Sequence, residues 1–379
     1  MIAGEASGDL HGAKLASALL RAHPKINLEG VGGRLMKSAG VDLLGDIQDL
    51  GVVGVVEVLS HWSSIWGIYR KVRERLHRKP PDLVVFIDYP DFNLRIARIA
   101  RRVGVSTVYY ISPQVWAWRR GRVKTIARLI DKMLVIFPFE KEFYATAGVD
   151  CEFVGHPLLD NLDTLPPRTT LRSQLGLHPD RPTIGLLPGS RRQEMSRLLP
   201  TMLQAMERLK KRIPQLQLVL AVAPSLDSSV VESIVEAVGS GLEVVPISGR
   251  ADEVISASDV VVVASGTATL QAAIHETPMV IVYKVSSLTY LLGRMLIQTE
   301  HIGLANLVGG KRIVPELLQS RVTGRAIEEE VYRILTDAVY TEEIRKGLSQ
   351  VKAKLGLPGA SARAAQCILD LLEARAQNN

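Results

Sequence analysis

The chain has 379 residues, 47% of them hydrophobic, which is enough for two domains with full cores. Its net charge of +7 favours an anionic partner: a nucleotide, a phospholipid surface or nucleic acid. Cys151 and Cys367 are the only cysteines, which excludes a disulfide framework and fits a reducing compartment. No apolar run reaches the roughly 18 residues of a membrane span. MIAGEASGDL lacks the basic and apolar regions of a signal peptide, so a cytoplasmic location is expected.

Apolar runs of strand length alternate with helical patterns along the whole chain, which predicts α/β layers. Met1-Ile2-Ala3 is a short strand remnant, and its brevity points to a start upstream of Met1. A glycine-rich turn follows, with Glu5, Ser7, Gly8, Asp9 and His11 around it, before a helix carrying Leu10, Leu15, Leu19 and Leu20. Ser7 or Asp9 is the expected N-cap of that helix.

Residues 51–79 combine valines and tryptophans with cations. Val55, Val58, Leu59, Trp62, Ile65 and Trp66 precede Arg70, Lys71, Arg73, Arg75, Arg78 and Lys79, opposed by Glu74 alone. Trp62 and Trp66 share one helical face. One reading is a core-facing helix with a solvated basic end; the other is a patch that dips into an anionic bilayer, each cation adding at most about 1 kcal/mol.

Leu83 to Ile87 is a strand ending in Asp88-Tyr89-Pro90-Asp91-Phe92-Asn93. Ligands of open parallel sheets gather at the carboxyl ends of strands, so this mouth suits a general base. Asp88 takes that role and Asp91 a helix cap. Thr107 to Ile111 leads into Ser112-Pro113-Gln114-Val115-Trp116-Ala117-Trp118, followed by Arg119, Arg120, Arg122 and Lys124. These loop tryptophans either stack on a sugar or lipid or wedge a tight loop. Strands at 132–136 and 151–157 follow.

Residues 161–182 change in composition, with Pro166, Pro167, Pro179 and Pro182 among polar residues, and are predicted as a linker. The expected boundaries are 1–160, 183–355 and a last helix, 356–379, that packs back on the first half. In the second half Ile184 to Leu187 runs into Pro188-Gly189-Ser190 and a helix carrying Met195, Leu198, Leu199, Met202 and Met206. Val260 to Ala264 is a central buried strand, and it opens into Ser265-Gly266-Thr267-Ala268-Thr269-Leu270-Gln271. Both turns present unpaired backbone N–H groups at a helix start, and Arg191 and Arg192 stand on the first of them. Two such turns in one sheet favour a nucleotide diphosphate over a plain strand-turn-helix. Neither turn has P-loop or GxGxxG spacing.

GEASGD at 4–9, IDYPDFN at 87–93, SPQVWAW at 112–118, LPGSR at 187–191, SGTATL at 265–270 and the Asn306 loop occur together and in this order. The set covers essentially the whole chain and resembles the lipid-A-disaccharide synthases. The resemblance implies a GT-B architecture, two Rossmann-like parallel-sheet α/β domains facing across a cleft. It implies inverting transfer of 2,3-diacylglucosamine from UDP to the 6-hydroxyl of 2,3-diacylglucosamine 1-phosphate (lipid X), in lipid A and lipopolysaccharide biosynthesis. The work would be done peripherally on the inner face of the cytoplasmic membrane.

By the same resemblance Asp88 is the essential aspartate, Glu5 an important acid, Arg191 the arginine meeting the UDP phosphates and Asn306 a residue near the donor. Gly189, Ser190, Ser265, Gly266, Thr267, Ala268, Thr269 and Gln271 complete the expected donor site. Ser7, Gly8, His11, Asn93 and Gln114 are assigned to the acceptor side. Two departures stand out: Gln271 replaces the family's usual Glu, and Ala305 replaces a proline. No Asp-x-Asp pair occurs, and Arg191 with the two helix starts can take the leaving charge, so neither metal nor cofactor is expected. The alternatives are a UDP-sugar epimerase of the same fold and a non-catalytic, nucleotide-binding peripheral membrane protein. Nucleic acid is not expected, because the cations cluster beside tryptophans and valines. The sequence leaves a homo-oligomer open.

Overall fold

The computed structural model describes residues 1–46, 62–118, 120–224, 226–239, 241–286 and 300–377. It divides into two compact units, Met1–Asp160 with Leu355–Asn379, and Asn161–Lys354.

In the first unit the strands are β1 (Ile2–Ala3), β2 (Glu29–Gly32), β3 (Asp42–Asp46), β4 (Leu83–Ile87), β5 (Ser106–Tyr110), β6 (Lys132–Val135) and β7 (Cys151–Phe153). They form one parallel sheet in the order β3-β2-β1-β4-β5-β6-β7. The second unit holds β8 (Thr183–Leu187), β9 (Gln217–Val222), β10 (Val244–Ser248), β11 (Val260–Ala264), β12 (Met279–Tyr283) and β13 (Glu316–Leu318). Its order is β10-β9-β8-β11-β12-β13, again all parallel. Central strands such as Val260 to Val263 are fully buried, as a sheet covered on both faces requires.

Each order reverses direction beside its first strand, and a doubly wound sheet opens a crevice at that point. The reversals fall between β1 and β4, where Ala3 pairs with Ile87, and between β8 and β11, where Leu187 pairs with Val263. The turns singled out in the sequence are therefore neighbours in pairs.

Helices are numbered here in chain order among those used below. α1 (Ala6–Ala22) follows β1, and α2 (Arg34–Ser38) follows β2. Asp9 does not cap α1. Its carboxylate is buried and accepts from Gly33 N, Leu35 N and Met36 N at 2.7, 3.1 and 3.0 Å, so it caps α2. Ser7 makes no cap either, since α1 has no side-chain cap bond.

α3 (Trp62–Arg78) buries Ile68, Val72 and Leu76, which recur at helical spacing, and leaves Trp66 55% exposed. Arg70, Lys71 and Arg73 are exposed, but Arg75 turns inward to a bidentate pair with Glu29 at 2.8 and 2.9 Å, so it leaves the basic run. Val55, Val58 and Leu59 lie outside the described residues.

α4 (Pro90–Arg102) follows β4, and α5 (Pro138–Ala145) follows β6. The stretch expected as a linker belongs instead to the second unit. There α6 (Arg168–Gln174) buries Leu171, and the buried Arg172 donates to Ala257 O at 2.8 Å and pairs with Asp259 at 2.8 Å. α7 (Arg192–Arg212), α8 (Ala251–Ala257), α9 (Thr267–Ile274) and α10 (Leu304–Gly309) carry the second site. The last helix, α11 (Ala360–Ala376), belongs to the first unit and packs on α1. Asp160 accepts from Gly359 N at 2.7 Å at its start, and Arg363 Nε donates to Val154 O at 2.8 Å. Among the described residues no helix is long and apolar enough to cross a membrane.

Candidate active site

The second unit carries a cavity of about 410 Å³ at its β8/β11 reversal. Gly189, Ser190 and Arg191 line one wall, and Ser265, Gly266, Thr267, Ala268 and Gln271 another. The size suits a small-molecule ligand. Two local features build it. Gly189 adopts φ +113°, and a Cβ there would meet Glu194 Oε2 at 2.3 Å, so the turn is closed by glycine. Gly266 faces open space, so the backbone itself forms that wall.

The N-cap residues of α7 and α9, Arg191 and Gly266, make no side-chain bond to the first turn. Their side chains offer no acceptor to the helix; only their carbonyls accept, from Met195 N and Thr269 N. Thr269 N donates to Gly266 O at 3.1 Å; the earlier N–H groups of α9 and those opening α7 can face an anion, with the helix dipoles behind them. Arg191 adds a cation, 3.6 Å from Glu194 and largely exposed.

Two residues assigned to the donor site lie elsewhere. Thr269 is fully buried, and its hydroxyl donates to Gly266 O at 2.8 Å, bracing the turn from behind. Asn306 is fully buried with both ends of its amide occupied. Its Nδ2 donates to Val314 O and Glu316 Oε1 at 2.9 and 2.7 Å, and its Oδ1 accepts from Ile313 N and Val314 N at 2.7 and 2.9 Å. No hydrogen-bonding capacity remains for a ligand. Glu316 also accepts from Ile302 N and Gly303 N, and Ser265 Oγ donates to Ile302 O at 3.0 Å. Asn306 therefore holds the loop that supports Ser265.

The first unit places Asp88 and Glu5 at its own reversal, after β4 and β1. Asp88 and Tyr89 both lie in the left-handed region, at φ +46° and +49°. Neither is glycine, so the turn is strained and must be held. Asp88 O accepts from Asn93 Nδ2 and from Tyr109 Oη, both at 2.6 Å. Asn93, expected on the acceptor side, is fully buried and serves as this clamp, bonding Ile87 O as well. Burial first, and the Glu5 charge second, push the Asp88 carboxyl up to about 6. A carboxylate poised near neutrality suits a general base.

Glu5 is exposed at the N-cap of α1, and Ser7 is exposed beside it. Gly8 packs against Ala3, where a Cβ would lie 3.2 Å from the Ala3 Cβ. His11 is half-buried, and burial, then Lys14, lower its pKa to about 4, so it is neutral. Gln114 is exposed. Asp91, in the first turn of α4, pairs with Arg122 at 2.6 Å. Trp116 is a wedge. It is buried, meets Phe139 edge-on at 5.0 Å, and donates Nε1 to Glu140 at 2.9 Å.

A family model described as lipid-A-disaccharide synthetase matches residues 1–368. The chain belongs to the lipid-A-disaccharide synthetase family. It is 47% identical over 372 residues to the lipid-A-disaccharide synthase of Geobacter sulfurreducens, covering 98% of this chain and 96% of that one. A putative UDP-N-acetylglucosamine 2-epimerase from Listeria monocytogenes superposes with a TM-score of 0.66 at 14% identity, over 100% of this chain and 96% of that chain. The kitacinnamycin glycotransferase does so at 0.65 and 16% identity, over 98% and 97%. These two likenesses establish the GT-B fold alone. Family membership makes the chain a glycosyltransferase of lipid A disaccharide synthesis.

Against the family's motifs, two contributions were not apparent in the sequence. Glu140, on α5, accepts from Ser112 Oγ at 2.5 Å, Trp116 Nε1 and Phe137 N, and so holds the SPQVW loop. Burial pushes its carboxyl up to about 7. Asp252 stands behind Gln271 at 3.0 Å. Locally Glu140 reads only as a capping residue for Phe137 N; its partners Ser112 and Trp116, like Gln271 for Asp252, lie 19 to 28 residues away.

Proposed function

We propose that this protein moves 2,3-diacylglucosamine from UDP onto the 6-hydroxyl of 2,3-diacylglucosamine 1-phosphate, with inversion at the transferred sugar. The observation that carries the proposal is the pair of uncapped helix starts sharing one cavity with Arg191. That is where negative charge develops as the UDP diphosphate leaves, and preorganised N–H groups stabilise it without reorganising. Asp88, raised to about 6, takes the proton of the attacking hydroxyl. Glu5 tunes that carboxyl by its charge. Trp66 with Arg70 and Lys71 supports a peripheral seat on anionic headgroups, where both lipid substrates reside.

The test is the purified protein with UDP-2,3-diacylglucosamine, with and without the monosaccharide 1-phosphate, and products read by mass. The expected result is a disaccharide 1-phosphate and UDP only when both are present. An altered UDP-sugar without acceptor would make it an epimerase, and UDP binding without turnover would make it a non-catalytic nucleotide binder.

A further inference from the structure

Gln271 projects from α9 into the cavity wall, and its Nε2 donates to Asp252 Oδ1 at 3.0 Å. A carboxylate only accepts, so the end of the amide beside Asp252 has to be its nitrogen. The carbonyl Oε1 is the other end, and it has no hydrogen-bond partner among the described residues.

Asp252 is itself fixed. His275 Nε2 lies 3.3 Å from the same Oδ1, and His275 Nδ1 lies 3.0 Å from Ser256 Oγ. A neutral imidazole satisfies both contacts, with Nε2–H toward the carboxylate and Nδ1 accepting from the serine hydroxyl. The neighbouring Glu253 is occupied by Arg250, so it does not compete for the Gln271 amide. Ser256, His275, Asp252 and Gln271 form one hydrogen-bonded row that ends at the cavity.

We propose that Asp252 is a positioning residue that locks the Gln271 amide with its carbonyl toward the cavity, giving the nucleotide pocket a neutral hydrogen-bond acceptor at that wall. The inference rests on reading this cavity as the UDP site. It also sets a rule for position 271. A glutamate there would place a second carboxylate about 3 Å from Asp252, and two carboxylates so close resist ionising together. The acid is disfavoured here unless Asp252 is neutralised too.

The experiment is UDP titration by calorimetry at pH 8, with donor KM and kcat, on wild type, Asp252→Asn, Gln271→Glu and the double variant. Gln271→Glu is expected to bind UDP roughly tenfold more weakly, through repulsion by Asp252. Asp252→Asn is expected to weaken it about threefold by letting the amide turn, raising donor KM with kcat little changed. In the double variant the new amide at position 252 donates to the new carboxylate at position 271. Affinity then returns to within about threefold of wild type, a non-additive recovery that misfolding cannot produce. Wild-type affinity in both single variants, or a double variant as weak as the product of the two, overturns the assignment. Failure of wild type to bind UDP at all overturns the nucleotide reading of the cavity, and this inference with it.

Discussion

Gly4 and Tyr89 compete for one volume: a Cβ on Gly4 would lie 2.1 Å from Tyr89 Cδ1 and 2.2 Å from Cγ. The loop after β1 is thereby pressed against the strained turn that presents Asp88. Tyr89 cannot yield easily, because it is the left-handed N-cap of α4. Gly4→Ala is expected to displace Asp88 and cut turnover at least tenfold, since misplacement by about 1 Å can cost a hundredfold. Steady-state kcat beside a melting curve checks this, and wild-type kcat in a folded variant would refute it.

Asp88→Asn should retain UDP binding and turn over at least about a hundredfold more slowly, the usual scale of base catalysis. In wild type kcat/KM should rise with pH through about 6 and then level, because the base acts only when ionised. The stability effect has the opposite sense. The folded carboxyl binds its proton more tightly than the unfolded one, from 3.8 to about 6, so wild-type stability falls as pH rises through that window. The variant lacks this loss and should exceed wild type by about 1–3 kcal/mol at pH 8, the two converging below pH about 4. Paired denaturation curves at both pH values decide the matter.

Asn306→Ala should act on stability. It strips acceptors from the half-buried Ile313 amide and the buried Val314 amide and a donor from Glu316. Each buried unpaired group costs about 1–3 kcal/mol, so a loss of roughly 2–4 kcal/mol is expected on urea unfolding. UDP affinity per folded molecule should stay within about threefold of wild type. A large loss of affinity with unchanged stability would return Asn306 to the donor site.

Trp66→Glu should weaken sedimentation with anionic vesicles by roughly tenfold, and raised salt should do the same to wild type. Turnover on detergent-dispersed substrates should be unchanged. Equal vesicle binding by the two proteins would leave Trp66 an ordinary exposed side chain.

Much of this was legible in the residues themselves. The runs TIGLL and VVVVA are short, apolar and followed by glycine turns, and they became β8 and β11 with their phosphate-type turns in one cavity. Asp88 stands at a strand end as its position in the sequence implies. Two of the failures come from partners far along the chain, and two from which way a side chain turns. Asp9 reads as a cap for its own helix, but its partners lie 24 to 27 residues on. Arg75 reads as one more surface cation, yet its partner is 46 residues back. Thr269 shares its motif with cavity-lining residues and Asn306 reads as a residue near the donor, but the side chains of both face the protein.

The sequence by itself determined the α/β class, the parallel character of both sheets, the family and the chemistry of the turns. The class, the sheets and the turns follow from local periodicity, glycine placement and residue type, which act over a few residues. The family follows from the resemblance carried by the ordered set of motifs. Only the tertiary structure decided which turns stand side by side, that residues 161–182 pack into the second unit, and which polar side chains keep a free end for a ligand. Those outcomes depend on strand order and on hydrogen bonds between distant segments, and they are settled only when burial forces each polar group to find a partner.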